Sequence, residues 1–125
     1  MLKRYTIKTE RRGLYNITSY VRQAVTESGV QSGIAVVFCP HTTAAITINE
    51  NADPDVKTDL LYALEETFPN RPQFRHAEGN SDAHMSQAVL ALRKLLSSTI
   101  TNFFWALGRV SISLSLTDRE QETFL

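Results

Sequence analysis

The histidines of this chain, 3 in 125 residues, fall in two short segments. His41 stands in CPHTTAAITINE, and His76 and His84 lie in RHAEGNSDAH. Neutral imidazole is the commonest side-chain metal ligand and a ready proton carrier near neutral pH. Glu78, Asn80 and Asp82 lie between the last two histidines and add carboxylate and amide oxygens able to orient an imidazole or join a coordination shell. In His76-x-Glu78-x-Asn80-x-Asp82-x-His84 every second position is polar, so an extended backbone would aim all five to one side. His41, reaching across a cleft from a strand end, would complete the set. His41, His76 and His84 as ligands, with Glu78 and Asp82 as orienting or proton-carrying groups, suit a divalent ion such as zinc. Paired cysteines and an HExxH helix are both missing, however, and the same residues also describe a solvated loop whose side chains cap turns and the next helix.

Thr42 and Thr43 beside His41 carry hydroxyls able to bind an oxyanion or phosphate, although strand threonines more often serve packing. Cys39 beside Pro40 and His41 suggests a thiolate pair, yet cysteine is a common core residue, so it reads as packing. Asp55, Asp59, Glu65 and Glu66 read as the solvated face of a helix.

The elements that must position these residues follow from the pattern. LKRYTIKT over 2–9 and Leu14, Tyr15 and Ile17 flank an Arg-Arg-Gly break, which reads as a polar hairpin or two edge strands. Thr18 or Ser19 as N-cap, then Val21, Ala24 and Val25 at helical spacing, with Gly29 as the stop, give a short helix. The β-branched run Ile34 to Phe38, ended by Pro40, predicts a buried strand, and HTTAAITINE a second strand within hairpin distance. Asp53-Pro54-Asp55 is an N-cap, a proline at the first helical position and a carboxylate at the positive helix end. With Val56, Leu60, Leu64 and Phe68 on one face, the spacing predicts a helix over 54–68 set against a sheet. RPQFRHAEGNSDAH is too polar for core and reads as an ordered functional loop. The stripe of Met85, Val89, Leu92, Leu95 and Leu96, with Arg93 and Lys94 behind it, predicts a helix over 82–97. VSISLSL over 110–116 alternates with period two, the mark of a half-buried strand.

Composition bounds the function classes. Thirteen basic and thirteen acidic residues leave a formal net charge of zero, and pI is near 6.8, which disfavours general binding to nucleic acid or to anionic membranes. The single cysteine and a charged opening, MLKRYTIKTERRG, without a leader or spanning run predict a soluble cytoplasmic protein. The length fits one domain with a real core, and no internal repeat is present.

HTTAAITINENADPDVKTDLLYALEETFP and RHAEGNSDAH closely resemble the YjbQ family, also labelled secondary thiamine-phosphate synthase. The resemblance runs from the N-terminus through about His84, so residues 1–125 read as one YjbQ-like domain with 86–125 divergent. It implies an α+β fold, an open sandwich of two mixed β-sheets with a cluster of helices, assembled as a homotrimer with clefts between subunits. By position, His41, Thr42, Thr43, His76, Glu78, Asn80, Asp82 and His84 match the family's polar pocket. Thr42, Thr43 and Asn80 would then contact a small phosphorylated ligand, and the histidines a metal. The activity attributed to the family is weak thiamine-phosphate synthesis.

Near their C-terminus, family members share a GTWQGI strand and an EFDGPR segment, and neither string occurs here. Yet WALGRVSISLSLTDREQ, Trp105 to Gln121, has a choice of ordinary synonymous codons that spells GTWQGIYFAEFDGPRT when the frame moves by one base. The residues after about Met85 therefore read as an out-of-frame tail. In that case the alternation in VSISLSL and the stripe after Met85 are accidents of shifted codons, and the family's tail residues near the pocket are lost. Three functions stand side by side: a metal-assisted or acid–base enzyme on a small phosphorylated metabolite, a non-catalytic trimeric metal- or anion-binding protein, and an inactive frameshifted product.

Overall fold

The computed structural model describes residues 1–9, 12–90, 95–99, 110–116 and 121–124, with side chains described for the first two ranges. Along them run β1 (Tyr5–Lys8), β2 (Gly13–Asn16), α1 (Thr18–Ser28), β3 (Ser32–Val36), β4 (Ala44–Glu50), α2 (Pro54–Thr67), α3 (Ser81–Leu90), β5 (Leu95–Thr99), β6 (Val110–Leu116) and β7 (Gln121–Phe124). The class is α+β, as expected. The strands lie in three sheets, β1-β7, β2-β6-β4 and β3-β5. Every pairing among the described strands is antiparallel, whereas mixed sheets would contain a parallel pair.

Two expected hairpins do not form. β1 and β2 are separate strands, each paired with a strand from the last third of the chain, so the edge-strand alternative holds. β3 and β4 enter different sheets, because β5 and β6 supply their partners. Closeness in sequence makes a hairpin cheap to close, but long-range partners that match register and burial override it.

α1 begins after Ile17. Neither Thr18 nor Ser19 occupies the cap position; instead Asn16 Oδ1 accepts from the Thr18 N–H at 3.0 Å. The helix ends at Gly29, whose φ of 67° lies in the left-handed region that glycine enters without a Cβ penalty. Its inward residue Val21 joins Ile17, Val37, Cys39, Ala44 and Ile46 in the core, with Tyr5, Ile7, Tyr15, Val25 and Ala35 packed around them. Cys39 is therefore a packing residue.

β3 is not the buried strand that its apolar run suggested. Ala35, Val37 and Cys39 turn inward while Ile34, Val36 and Phe38 are exposed, at 66%, 59% and 40%. A continuous apolar run marks burial on both faces, and here only one face meets the core.

α2 matches its expected bounds to a residue: Asp53 caps it, accepting from the Asp55 N–H at 2.9 Å, and Phe68 closes it. Its apolar face, Val56, Leu60, Leu64 and Phe68, is half-buried near β2, and no residue of α2 is fully buried. α3 is shorter than expected, since β5 takes residues 95–99. Its buried face is Asp82, Ala83 and Ser86, while Val89 of the expected stripe is 55% exposed. Small residues on that face let the helix lie close against β4, where Ala45 is also buried. The stripe's Leu92, and Arg93 and Lys94, lie outside the described residues, as do 100–109 and 117–120 of the tail. VSISLSL does form a strand, β6, central in its sheet. Among the described residues no helix is long and apolar enough to cross a membrane.

Candidate functional site

The polar segment after α2 is tied down by its own backbone and one side chain. Phe74 N–H bonds Arg71 O at 3.0 Å and Gly79 N–H bonds His76 O at 3.1 Å, which makes two successive turns. Asn70 Nδ2 donates to Gly79 O at 2.8 Å and so closes the segment at its base. Gly79, at φ 72°, takes the left-handed conformation that reverses the chain into α3. Asn80 O then accepts from the N–H groups of Ala83 and His84, and the helix has begun.

This path brings His76 and His84 together. Their rings meet edge to face with centroids 5.1 Å apart and planes at 67°. Glu78 Oε2 lies 3.7 Å from His76 Nε2, a charge contact when the imidazole is protonated and too long for a hydrogen bond. Asn80 Nδ2 reaches the same carboxylate oxygen at 3.4 Å. The loop thus ends earlier than expected, and its alternation is not read out by an extended strand. The chain is turned at 77–79 and helical from Ser81, so the five polar side chains do not line one side.

Asp82 is the clearest departure. On an α-helix residues two apart point about 200° from each other, so Asp82 and His84 leave α3 on opposite sides. The Asp82 side chain is 10% exposed, and its Oδ2 accepts from Arg12 Nη2, while Arg12 Nη1 lies 2.9 Å from Glu65 Oε1 of α2. A carboxylate this buried needs a cation, and Arg12 supplies it. In the sequence Arg12 reads only as part of a chain break and Glu65 as solvated surface. A buried acid with no nearby base in sequence is the one signal that points to a distant arginine, and it becomes visible only once burial is known. Asn70, which fastens the loop, carries no signal beyond turn propensity.

His41, Thr42 and Thr43 form the approach to β4, with His41 and Thr43 half-buried and Thr42 exposed. Among the described residues, no three His, Cys, Asp or Glu side chains of one chain are grouped so as to hold a metal ion. The chain thus assembles His76, His84, Glu78 and Asn80 in one corner. It does not gather His41 into a three-ligand group with them, and it turns Asp82 away.

Comparison with known proteins gives consistent relatives. A family model described as UPF0047 protein YjbQ-like matches residues 3–110. A UPF0047 protein of Methanocaldococcus jannaschii is 52% identical over 91 residues, covering 72% of this chain and 66% of the relative. The UPF0047 protein YugU of Bacillus subtilis is 49% identical over 92 residues, covering 72% of this chain and 70% of the relative. The matched region thus spans about two thirds of these curated relatives. Among solved structures, an uncharacterized conserved YjbQ/UPF0047 protein from Clostridium acetobutylicum superposes with a TM-score of 0.84 at 36% identity, covering 99% of this chain and 97% of the other. A conserved hypothetical protein from Thermus thermophilus gives 0.83 at 34% identity, with the same coverage.

Proposed function

This chain belongs to the YjbQ-like UPF0047 family, and on that premise we propose that its His76 and His84 corner is one half of a metal site serving a small phosphorylated substrate. The observation that carries the reading is the edge-to-face pairing of the two imidazoles at 5.1 Å, with Glu78 beside His76. Two imidazoles suit zinc by donor type and make up half of a site, which needs further ligands from outside this corner. His41 would enter from a neighbouring copy of the chain in a homotrimer. The apolar row Ile34, Val36 and Phe38, exposed on one side of β3 and its continuation, supports an interface between copies.

A bound zinc would polarise a phosphoryl oxygen or lower the pKa of a water. Glu78, beside His76, would orient that imidazole, and Thr42, Thr43 and Asn80 would offer hydrogen bonds to substrate oxygens. Asp82, committed to Arg12, is removed from the proton-carrying set. The reaction class proposed is a thiamine-phosphate-synthase-like transfer.

The test is to load the full-length protein with zinc, then follow thiamine-phosphate formation in the wild type and in His76→Ala and His84→Ala. Turnover lost in both variants supports the enzyme. Zinc retained by the wild type with no turnover gives the second reading, a trimeric binding protein. Zinc binding absent from the wild type removes both.

The tail carries a separate proposal, whose support is the codon reading of Trp105 to Gln121. As the alternative to the enzyme and binding readings, we infer a shifted frame after about Met85, in which case the chain would be an inactive product. Sequencing the gene across codons 84–92 decides it, since an unambiguous frame encoding the present protein would sink the idea.

A further inference from the structure

We propose that Arg12 is a positioning residue of the His76 and His84 corner, holding the first turn of α3 against β2 and α2. The proposal rests on the reading of that corner as the site. Arg12 immediately precedes β2, Glu65 lies in the last turn of α2, and Asp82 is the second residue of α3, so one guanidinium joins three elements. Its two terminal nitrogens are used separately, Nη1 toward Glu65 and Nη2 toward Asp82.

The two arms are unequal. Glu65 is 66% exposed, where an ion pair is screened and weak, whereas Asp82 is 10% exposed and depends on its partner. The anchored arm is therefore the one on α3. Ser86 Oγ also donates to Asp82 O at 2.8 Å, one turn further along the same buried face. His84 leaves the helix from the other side of this turn, toward His76, and Asn80 opens the turn beside Glu78. The rotation of the turn about its axis thus sets where the His84 ring falls. Without Arg12, the Asp82 carboxylate must seek water, and the turn rotates or frays to let it. The Asn70 bond to Gly79 holds the loop side, and the close approach of Ala83 to β4 holds the helix to the sheet, which leaves the Asp82 carboxylate to Arg12. Lysine would be a poor substitute, because a single ammonium lacks the fork that reaches both carboxylates.

The experiment compares full-length wild type with Arg12→Gln, Arg12→Lys, Glu65→Gln and the charge-swapped pair Arg12→Asp with Asp82→Arg. Two quantities are read: hydrogen exchange of the amides of 79–86, with α1 as internal reference, and affinity for zinc alone. Arg12→Gln is expected to speed exchange in 79–86 by about tenfold or more while leaving α1 unchanged. It is expected to weaken zinc binding by roughly 10- to 100-fold, the usual effect of losing an outer support of a metal ligand. Glu65→Gln stays close to wild type in both, and the charge swap recovers part of each loss. Should Arg12→Gln fail to fold, Arg12→Lys carries the same test with a smaller shift in the same direction.

Exchange in 79–86 that is unchanged in the Arg12 variants overturns the proposal. So does exchange that rises equally in α1, since that marks general destabilisation. Zinc weakened with exchange unchanged also overturns it, because Arg12 would then act directly. A wild type that binds no zinc removes the metal reading of the corner, and exchange alone then decides whether Arg12 holds α3.

Discussion

Helices α2 and α3 are both short, both follow a polar segment, and both have an acidic residue in the first turn, yet only the first shows its buried face in the sequence. α2 is defined by chemistry within its own residues: Asp53 caps, Pro54 starts, and an apolar stripe turns toward the sheet. α3 is defined by what it meets. Its buried face is an aspartate, an alanine and a serine, chosen by a distant arginine and by close approach to β4. Local signals therefore locate a helix, while the identity of its buried face depends on partners that here lie 70 residues away. The candidate corner sits on the helix of the second kind.

That contrast orders the expected effects of mutation. Asp82→Ala should be the most damaging, on the order of 3 kcal/mol in a urea melt, because it leaves the half-buried Arg12 without its buried partner. A loss below that of the next variant would mean that α3 is not held by the pair. Leu64→Ala should cost roughly 1–2 kcal/mol, less than a fully buried leucine, since no residue of α2 is fully buried. Asp53→Ala should cost about 1 kcal/mol, the usual loss for an N-cap, and should reduce the helicity of α2 in preference to that of α3.

The smallest effect belongs to the exposed pair Lys3 and Glu27. The hydrogen bond from Lys3 lowers the pKa of Glu27, helped by Gln23, and the same contact raises that of Lys3. The depressed carboxylate stabilises above its unfolded pKa and stops doing so as pH falls through its lowered folded value. The raised ammonium stabilises below its ordinary 10.5 and stops doing so as pH rises through its folded value. The pair therefore contributes across neutral pH and fades at both extremes. Lys3→Ala should leave the neutral-pH melt nearly unchanged.

Much of the fold is legible where period and punctuation suffice. The Gly29 stop, the Asp53 cap and the alternation of VSISLSL each mark an element that forms. Strand partners are not legible, because β1 to β4 all pair with strands of the last third of the chain. The exposed face of β3 is hidden by its uniform apolarity, which gives no clue to one-sided burial. Of the candidate site, the two histidines of RHAEGNSDAH are recognisable as a pair from their spacing and the residues between them. Their actual geometry comes from Gly79 and the helical turn after it, which an extended reading of the same spacing misses.

The central claim is that His76 and His84 together bind a metal ion. Equilibrium dialysis of the full-length protein against zinc, with the metal counted per chain, tests it most directly in the wild type, His76→Ala and His84→Ala. The account predicts saturable binding to the wild type that falls steeply in both variants. Zinc retained equally by all three proteins would contradict it.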